Sequence, residues 1–451
     1  MIHPVFQRLV PLFLAMALAA SASGLEVRLE YQKHTDEIQG ARPSGATFVS
    51  PRLDCPGGDW KLPDFASAKP FFGVFCLGDS EFLYALDRSE GAGTAYDRLF
   101  FDQNGNRDLT DDPVLGGGIV PSGSDFSPVP MPAAVDLEYR LDGKTLPYSV
   151  RFYLACRDVG YVGEKQLSAS TFPLFVNFFV RTNCTYTALF ELQGKTVNVV
   201  FVDDDCDGRF AETLTVDDEA STAPTDRMVL ACKGDRFYLA CGRDCGLFDQ
   251  GFVCDGLLLE NKLYDLRVSP AHKSLALNPV EECLAPLKLS GRPERLILQR
   301  QSDARTLLLV RPSEDAAVPP GRYRLLLYEL HRRDGEGILW RLFTMASNDT
   351  AYIDVEPGRG GILSFGEPLT PLVQVPLTSP SRADGDEETD VELELNVEGV
   401  AKEFVVLVVG VSESEESGGV PFNLAHPPSV PCYRILEAGG EMVAEGDFEQ
   451  G

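Results

Sequence analysis

The sequence predicts a mainly β, multidomain protein built from antiparallel β-sheets and sandwich-like units with calcium-binding turns. Three segments, 25–31, 135–141 and 391–397, alternate apolar and charged residues with the period of two that a half-buried strand requires. Glycine-bearing turns within 139–144 and 191–195 are typical of hairpins. No long amphipathic helix stands out in a chain of 451 residues that contains 31 prolines and 41 glycines.

The N-terminal residues have the pattern of a targeting segment. Arg8 supplies a basic region, residues 9–20 form an apolar stretch, and Ala20-Ser21-Ala22 offers a small-residue cleavage site. The apolar stretch is too short to span a bilayer as a helix. We therefore predict a signal peptide over 1–22 and a secreted or periplasmic mature chain without a transmembrane segment.

The remaining length suits about three domains of ~150 residues each, and local patterns suggest how it divides. The predicted units are an N-terminal β-rich domain with a first acidic loop (23–175), a β-rich unit with a second acidic loop and a cysteine cluster (176–285), a β-sandwich (286–380), and a C-terminal β domain (381–451). Residues 379–389 have the composition of an exposed linker or long loop. Residues 404–411 are uniformly apolar, which predicts a strand buried on both faces.

The charge balance excludes one class of partner. The chain carries 68 acidic against 40 basic residues, a formal net charge of −28. Such a charge repels phosphate backbones, so nucleic acid is not expected to bind. A protein or glycan ligand is expected instead, and bound calcium would relieve part of the self-repulsion.

The eleven cysteines favour an oxidising compartment, and their odd number leaves at least one thiol unpaired. The densest group is Cys232, Cys241, Cys245 and Cys254. Zinc sites more usually show two-residue gaps between cysteines than the gaps of eight, three and eight found here. We predict disulfides, with free core thiols and a zinc site as the alternatives.

Two acidic loops carry the clearest chemical signal in the sequence. One covers residues 102–112 and the other covers 203–212, and each follows a strongly apolar stretch. Oxygen side chains stand at the first, third and fifth places, a spacing that aims several oxygens at one hard cation. The residues at these places are Asp102, Asn104 and Asn106 in the first loop, and Asp203, Asp205 and Asp207 in the second.

The sixth and eighth places support the same interpretation. Gly208 takes the sixth place of the second loop, where the chain must turn sharply, and Phe210 takes the eighth as an apolar anchor. Leu109 is the corresponding anchor of the first loop. Arg107 stands where glycine is preferred, so we expect the first loop to turn differently and to recruit Asp108.

This pattern resembles the calcium loops of EF-hands and of dockerin or thrombospondin type 3 repeats, over about a dozen residues per loop. The resemblance implies bound Ca²⁺ and a bidentate acid at the twelfth place, which here holds Pro113 or Leu214. Asp111, Asp112 and Glu212 are the candidates to replace that acid. Because the loops depart from the family pattern at the twelfth place, we expect weak binding, with a dissociation constant on the order of 0.1–1 mM. The alternative is that Asp, Asn and Gly simply form good turns.

The sequence identifies no catalytic residues. Gly78-Asp79-Ser80 is superficially similar to a lipase nucleophile block, but no histidine has an acid three residues before it, as that family requires. The leading hypothesis is a non-enzymatic exported protein with a structural, adhesion or recognition role. The alternative is an extracellular, glycan-directed hydrolase with structural calcium, for which a cleft holding two carboxylates ~5–10 Å apart would be the sign.

Overall fold

A computed structural model describes residues 24–34, 46–48, 51–89, 95–116, 129–130, 134–158, 174–217, 231–241, 250–335, 337–374, 394–411, 432–436 and 442–447. These residues are almost entirely strands and turns, which confirms the predicted mainly β class. The predicted signal peptide and the predicted linker at 379–389 lie outside them.

The strands in chain order are β1 Leu25–Arg28, β2 Glu30–Lys33, β3 Ala46–Phe48, β4 Phe71–Leu77, β5 Ser80–Asp87, β6 Ala95–Tyr96, β7 Arg98–Phe101, β8 Leu115–Gly116, β9 Val129–Pro130, β10 Val135–Leu141, β11 Lys144–Asp158, β12 Leu174–Thr182, β13 Cys184–Leu192, β14 Lys195–Val202, β15 Thr215–Asp217, β16 Ala231–Lys233, β17 Arg236–Cys241, β18 Gln250–Phe252, β19 Gly256–Leu259, β20 Lys262–Ser269, β21 Ser274–Pro279, β22 Ala285–Leu289, β23 Arg295–Arg300, β24 Thr306–Val310, β25 Asp315–Val318, β26 Gly321–Arg333, β27 Leu339–Met345, β28 Tyr352–Val355, β29 Gly361–Leu363, β30 Thr370–Gln374, β31 Glu394–Glu398, β32 Phe404–Val411, β33 Cys432–Leu436 and β34 Met442–Asp447. Within the ranges given above, helical structure is limited to a 3-10 turn at Pro270–His272, and no helix has the length and apolar character needed to cross a membrane.

Four sheets form the body of the molecule. The largest has the order β1-β21-β20-β19-β24-β23-β26-β27-β32-β31-β30, with β28 also paired to β26. A six-stranded sheet is centred on β10-β11-β12-β3, a five-stranded sheet has the order β18-β17-β14-β13-β2, and a four-stranded sheet has the order β4-β5-β7-β8. The described pairings are antiparallel except for β19 with β24 and β22 with β29.

Local sequence pattern accounts directly for several of these strands. The alternating segment 135–141 is β10, and its burial alternates strictly between buried and exposed. Two residues of positive φ, Asp142 and Gly143, connect it to β11, and Gln193 and Gly194 connect β13 to β14 in the same way. Two consecutive positive φ angles are what a type I′ hairpin turn requires. Both predicted hairpins are confirmed.

The predicted strand over 25–31 is instead two strands in different sheets. β1 pairs with β21 in the twelve-stranded sheet, whereas β2 pairs with β13 in the five-stranded sheet. Leu29 lies between them, fully buried, and its N–H donates to the carbonyl of Lys273 at 2.8 Å. The alternating pattern continues through this corner because the core lies on the same side of both strands.

The uniformly apolar segment 404–411 is β32, but the prediction that it is buried on both faces is wrong. Phe404 is buried, whereas Val406 is 46% exposed. β32 pairs with β27 along its length and with β31 only at Phe404. A strand covered on one face can still be entirely apolar, so composition overstated its burial.

Two large hydrophobic cores and one small core hold the sheets together. The first large core joins the four-, five- and six-stranded sheets to part of the twelve-stranded sheet, and the second lies between the twelve-stranded sheet and a three-stranded sheet of β25, β22 and β29. Strand pairing runs across the predicted domain boundaries, since residue 175 falls within β12 and β27 pairs with β32. The division into units therefore stays a prediction.

The disulfides predicted from the cysteine count are not formed by the cysteines whose side chains the structure describes. Free thiols are found at Cys232 and Cys254 of the dense group, and also at Cys55, Cys76, Cys184, Cys206 and Cys283. Cys245 lies outside the described residues. Burial raises the pKa of Cys232 to about 11, which keeps that thiol protonated at neutral pH.

Candidate metal site

Each acidic loop begins with a buried aspartate directly after a strand, Asp102 after β7 and Asp203 after β14. In both loops, the two carboxylate oxygens accept the backbone N–H groups of the fourth and fifth following residues at 2.7–3.1 Å. These residues are Asn106 and Arg107 in the first loop, and Asp207 and Gly208 in the second. The two loops are therefore built on the same hydrogen-bonded turn.

The backbone conformations agree as well. The fourth and sixth places of both loops have positive φ, at Gly105 (66°) and Arg107 (67°) in one, and at Cys206 (61°) and Gly208 (89°) in the other. The expectation that Arg107 makes the first loop turn differently is thus wrong. Its guanidinium lies 5.1 Å from the ring centre of Trp60, a cation–π contact that offsets part of the cost of the left-handed backbone.

Asp108 has a partner within the protein. Its carboxylate accepts from Lys61 Nζ at 2.7 Å, and this hydrogen bond lowers the pKa of Asp108 to about 2. Lys61 is also tied to the loop through its backbone, since its N–H donates to Arg107 and its carbonyl accepts from Leu109. The predicted recruitment of Asp108 to a metal therefore competes with this ammonium group.

The remaining polar groups of the first loop turn toward one another. Asn106 Nδ2 donates to Asp111 Oδ2 at 2.8 Å, and Asn104 Nδ2 lies 3.5 Å from the same oxygen. Asp112 Oδ2 accepts the N–H of Gln103, the second residue of the loop, at 3.1 Å. Burial, together with the neighbouring acidic residues, raises the pKa of Asp112 to about 6.

The apolar residues predicted to anchor the loops do so. Leu109 joins a small core formed by Phe72, Leu83, Ala85 and Phe100. Phe210 belongs to the first large core, where its ring centre lies 4.8 Å from that of Tyr186 and 5.8 Å from that of Tyr148. The second loop is thus anchored in the first large core, and the first loop is anchored in the small core.

Five carboxylates come together at the second loop. Oxygens of Asp203, Asp205 and Asp235 lie within 4.8 Å of one another, and so do oxygens of Asp205, Asp207 and Glu212. Asp205 belongs to both groups and is exposed, whereas Asp203 and Asp235 are buried. This cluster has the oxygen chemistry and the spacing to hold a metal ion.

Asp235 is the member of this cluster that sequence reasoning missed. It comes from a different part of the chain, immediately before β17, yet its two oxygens accept the N–H groups of Asp204 (3.0 Å) and Glu212 (2.9 Å). In the first loop Asp112 likewise binds the N–H of the second residue. Asp235 therefore stands to the second loop as Asp112 stands to the first, since each accepts the N–H of the second residue of its loop.

The strand register explains this meeting. β14 and β17 are antiparallel neighbours, and the last residue of β14, Val202, pairs with the first residue of β17, Arg236. Asp203, directly after β14, therefore lies next to Asp235, directly before β17. The sequence signal was a lone aspartate in a Gly-Asp turn before an apolar strand. Without the β14–β17 register, nothing distinguishes it from an ordinary turn residue.

The cluster carries more negative charge than the protein around it compensates. Burial, and then the charges of Asp235 and Asp207, raise the pKa of Asp203 well above its usual range. Burial likewise raises the pKa of Asp235 to about 8 and that of Asp207 to about 6. A nearby basic group is Arg209, whose Nε lies 3.5 Å from Asp207. A bound divalent cation would supply the missing positive charge.

The backbone of the second loop connects three sheets. The carbonyl of Asp207 accepts the N–H of Gly78, in the β4–β5 turn, at 2.6 Å. The carbonyl of Gly208 accepts the hydroxyl of Tyr139 on β10 at 2.5 Å, and that of Asp203 accepts the hydroxyl of Thr182 on β12 at 2.7 Å. The four- and six-stranded sheets are thereby fastened to the loop at the end of the five-stranded sheet.

We expect Gly208→Ala to destabilise the protein by about 1–3 kcal/mol. The residue has a φ of +89°, and an added Cβ would lie 2.7 Å from Tyr139 and 3.2 Å from the N of Gly78. The matched control is Gly194→Ala, at a φ of +76° with nothing within 4 Å. Urea denaturation of both variants separates the contact from the backbone cost. Equal losses in the two variants would show that the packing between loop and sheets contributes nothing.

Cys206 does not belong to the cluster of oxygen ligands. Its thiol is buried on the core side of the loop, 3.2 Å from Thr182 Oγ1 and 3.6 Å from the carbonyl of Val180. Cys206 is therefore a packing residue of the first large core. Among the described residues, the groups close enough to share an ion here consist of aspartates and a glutamate.

A separate cleft of about 470 Å³ lies between the five- and twelve-stranded sheets. Its carboxylates are engaged with basic groups, Glu260 with Lys195 and Glu294 with Arg311, both at 2.7 Å. Although burial opposes it, the hydrogen bond from Arg311 lowers the pKa of Glu294. A glycosidase acid needs the opposite shift, so this cleft gives no support to the hydrolase alternative.

No protein-family model matches this chain, and the searches found no curated protein and no solved structure with significant similarity to it.

Proposed function

We propose that this chain is an exported calcium-binding β protein, in which an ion at the second acidic loop fixes the junction of three sheets. The observation that carries the proposal is the convergence of five carboxylates, two of them buried, on a loop with the ligand spacing of EF-hand-like sites. Burying carboxylates without a compensating positive charge is costly, and a divalent cation would remove that cost.

The choice of calcium rests on the donor atoms. The described cluster consists of carboxylate oxygens, which suit hard cations, whereas zinc favours histidine nitrogen and cysteine sulfur. Calcium accepts six to eight oxygens in flexible geometry, while magnesium requires a compact octahedron and keeps several waters. A crowded set of carboxylates drawn from two chain segments fits the larger ion better.

The first loop is proposed as a second calcium site of lower affinity. It repeats the turn of the second loop and offers Asp102, Asn104, Asn106, Asp111 and Asp112. Two of its three alternate oxygens belong to neutral amides, and Lys61 occupies the carboxylate of Asp108. Fewer negative ligands give calcium less attraction.

The position of the second loop supports the proposed structural, adhesion or recognition role. Its carbonyls bind neighbouring sheets, so an ion there would fix how the sheets present their edges and surfaces. The proposed partner is a protein or a glycan outside the cell, where calcium is abundant enough for weak sites. The strongly acidic surface is consistent with a non-nucleic-acid partner.

Calorimetric titration with calcium, magnesium and zinc tests the metal assignment. We expect calcium to bind most tightly, with a dissociation constant at or below about 1 mM, and magnesium to bind at least about tenfold more weakly. Thermal unfolding should shift upward with calcium and return after a chelator is added. A melting curve that millimolar calcium leaves unchanged, together with no binding heat, would refute the calcium site.

A further inference from the structure

The cleft between the five- and twelve-stranded sheets is held by bonds that join the two sheets. Lys195, the first residue of β14, pairs with Glu260 in the β19–β20 turn at 2.7 Å. Arg295, the first residue of β23, donates from Nη1 to the carbonyl of Gln250 on β18 at 2.9 Å. The cleft is therefore formed before any ligand arrives, and its volume of about 470 Å³ is typical of small-molecule sites.

The lining of the cleft combines apolar and charged surface. Its apolar part consists of buried side chains from β17, β19 and β24, namely Leu239, Ala240, Leu259 and Val310. The side chains of Lys195, Glu260 and Arg311 are between 40% and 62% exposed, so they form its rim. Such a lining suits a small amphipathic molecule, whose apolar body is buried while its charged end stays near water.

The sign of the charge in the cleft differs from that of the whole protein. Three basic and two acidic residues line it, namely Lys195, Arg295, Arg311, Glu260 and Glu294. The chain as a whole carries a formal net charge of −28. At physiological ionic strength, charges beyond about 8 Å are largely screened. The charge that a bound ligand meets is therefore set by the lining and its immediate neighbours, and the lining is positive.

The groups packed behind the lining leave this balance positive. Glu329 is buried and pairs with Arg295 at 3.0 Å, but it also faces Arg341 at 3.6 Å. His331 lies 2.6 Å from Glu329 and 3.6 Å from Glu294. One further carboxylate is thus matched by one further guanidinium, and the cleft favours an anionic end group over a cationic one.

We propose that this cleft binds a small amphipathic carboxylate, with its apolar body against the apolar part of the lining and its carboxylate at the guanidinium of Arg311. Arg311 is 62% exposed and binds Glu294 through Nε at 2.7 Å. A planar guanidinium carries five N–H donors on three nitrogens, so the same group can bind a second carboxylate. Arg295 is buried and fixed by its own hydrogen bonds, and it supplies positive charge in the same lining. This site is separate from the acidic loops.

Three probes with the same six-carbon chain test the proposal: hexanoate, hexanol and hexylamine. Their binding to the full chain is measured by ligand-observed NMR titration. We expect hexanoate to bind with a dissociation constant on the order of 1 mM, at least about tenfold more tightly than either of the other probes. Hexanoate that binds no more tightly than hexanol and hexylamine overturns the proposal.

Two variants of the rim should change hexanoate binding in opposite directions. Arg311→Gln removes the proposed carboxylate partner and should weaken binding about tenfold. Glu260→Gln removes a negative charge and releases Lys195 from its ion pair, so it should strengthen binding about threefold. The matched control is Arg359→Gln, at an exposed arginine paired with Glu356 outside the cleft, and it should leave binding unchanged.

The pattern across these variants separates a specific site from a general effect of charge. Equal weakening by Arg311→Gln and Arg359→Gln would show that hexanoate responds only to net charge and would overturn the site. A hexanoate affinity that Glu260→Gln does not raise would overturn it as well. The substituted side chains are exposed, so the variants are expected to fold, which circular dichroism checks. Should Arg311→Gln fail to fold, the three probes on the wild-type protein and on Glu260→Gln decide.

Discussion

Asp203→Asn is expected to abolish the calcium response of the second loop. The asparagine keeps the size of the side chain but removes the carboxylate charge of the most buried member of the cluster. One oxygen cannot replace the two that bind the N–H groups of Asp207 and Gly208 and the hydroxyl of Tyr148. Calorimetry should show calcium affinity reduced by at least about 100-fold, equivalent to ~2.8 kcal/mol.

The matched control is Asp102→Asn, which makes the same change at the equivalent place of the first loop. In the control, the higher-affinity binding event and most of the thermal shift with calcium should remain. In Asp203→Asn, the melting temperatures with calcium and with a chelator should approach each other. Retention of the full calcium-dependent shift in Asp203→Asn would show that the ion binds elsewhere.

In the metal-free protein, stability is expected to fall as pH rises from about 4 to about 8. The pKa of Asp207 is raised to about 6 and that of Asp235 to about 8, mainly by burial, whereas an unfolded aspartate titrates near 3.9. Between these values the folded form holds protons that the unfolded chain has lost. The free energy of unfolding therefore decreases with rising pH, by an amount on the order of a few kcal/mol.

Urea denaturation with a chelator across this pH range measures the effect. Saturating calcium should make the free energy of unfolding less dependent on pH, because the ion neutralises the carboxylates that protons neutralise at low pH. The stabilisation by calcium should therefore grow from pH 5 to 8. Asp235→Asn is the control, and its metal-free profile should be shallower because it lacks that titrating group. A metal-free stability that stays level between pH 5 and 8 would contradict the carboxylate geometry.

Sequence pattern predicted the local features of the fold and could not reach the long-range ones. Alternation identified β10 to the residue, and the Asp-Gly and Gln-Gly turns identified two hairpins, because both depend on neighbouring residues. The corner at Leu29 was missed because moving from one sheet to another leaves the alternation unchanged. The exposure of Val406 was missed because composition does not show which faces other elements cover.

The candidate site likewise contains residues that the sequence could predict and residues that it could not. The spacing of Asp203, Asp205 and Asp207 and the anchor Phe210 are local, and the structure gathers them as expected. Asp235 depends on the register of two strands more than 30 residues apart, so one sequence could not single it out. The left-handed backbone of Arg107 was misjudged because Trp60, which supports it, lies far away in sequence.

The corner at Leu29 has a consequence for the order in which the chain assembles. β1 pairs with β21, about 250 residues later in the sequence. β2, which begins directly after Leu29, pairs with β13 instead. During synthesis, β1 must therefore stay unpaired until more than half of the 451 residues have emerged. Closing a chain loop of this length slows folding, so β1 is expected to be among the last strands to pair.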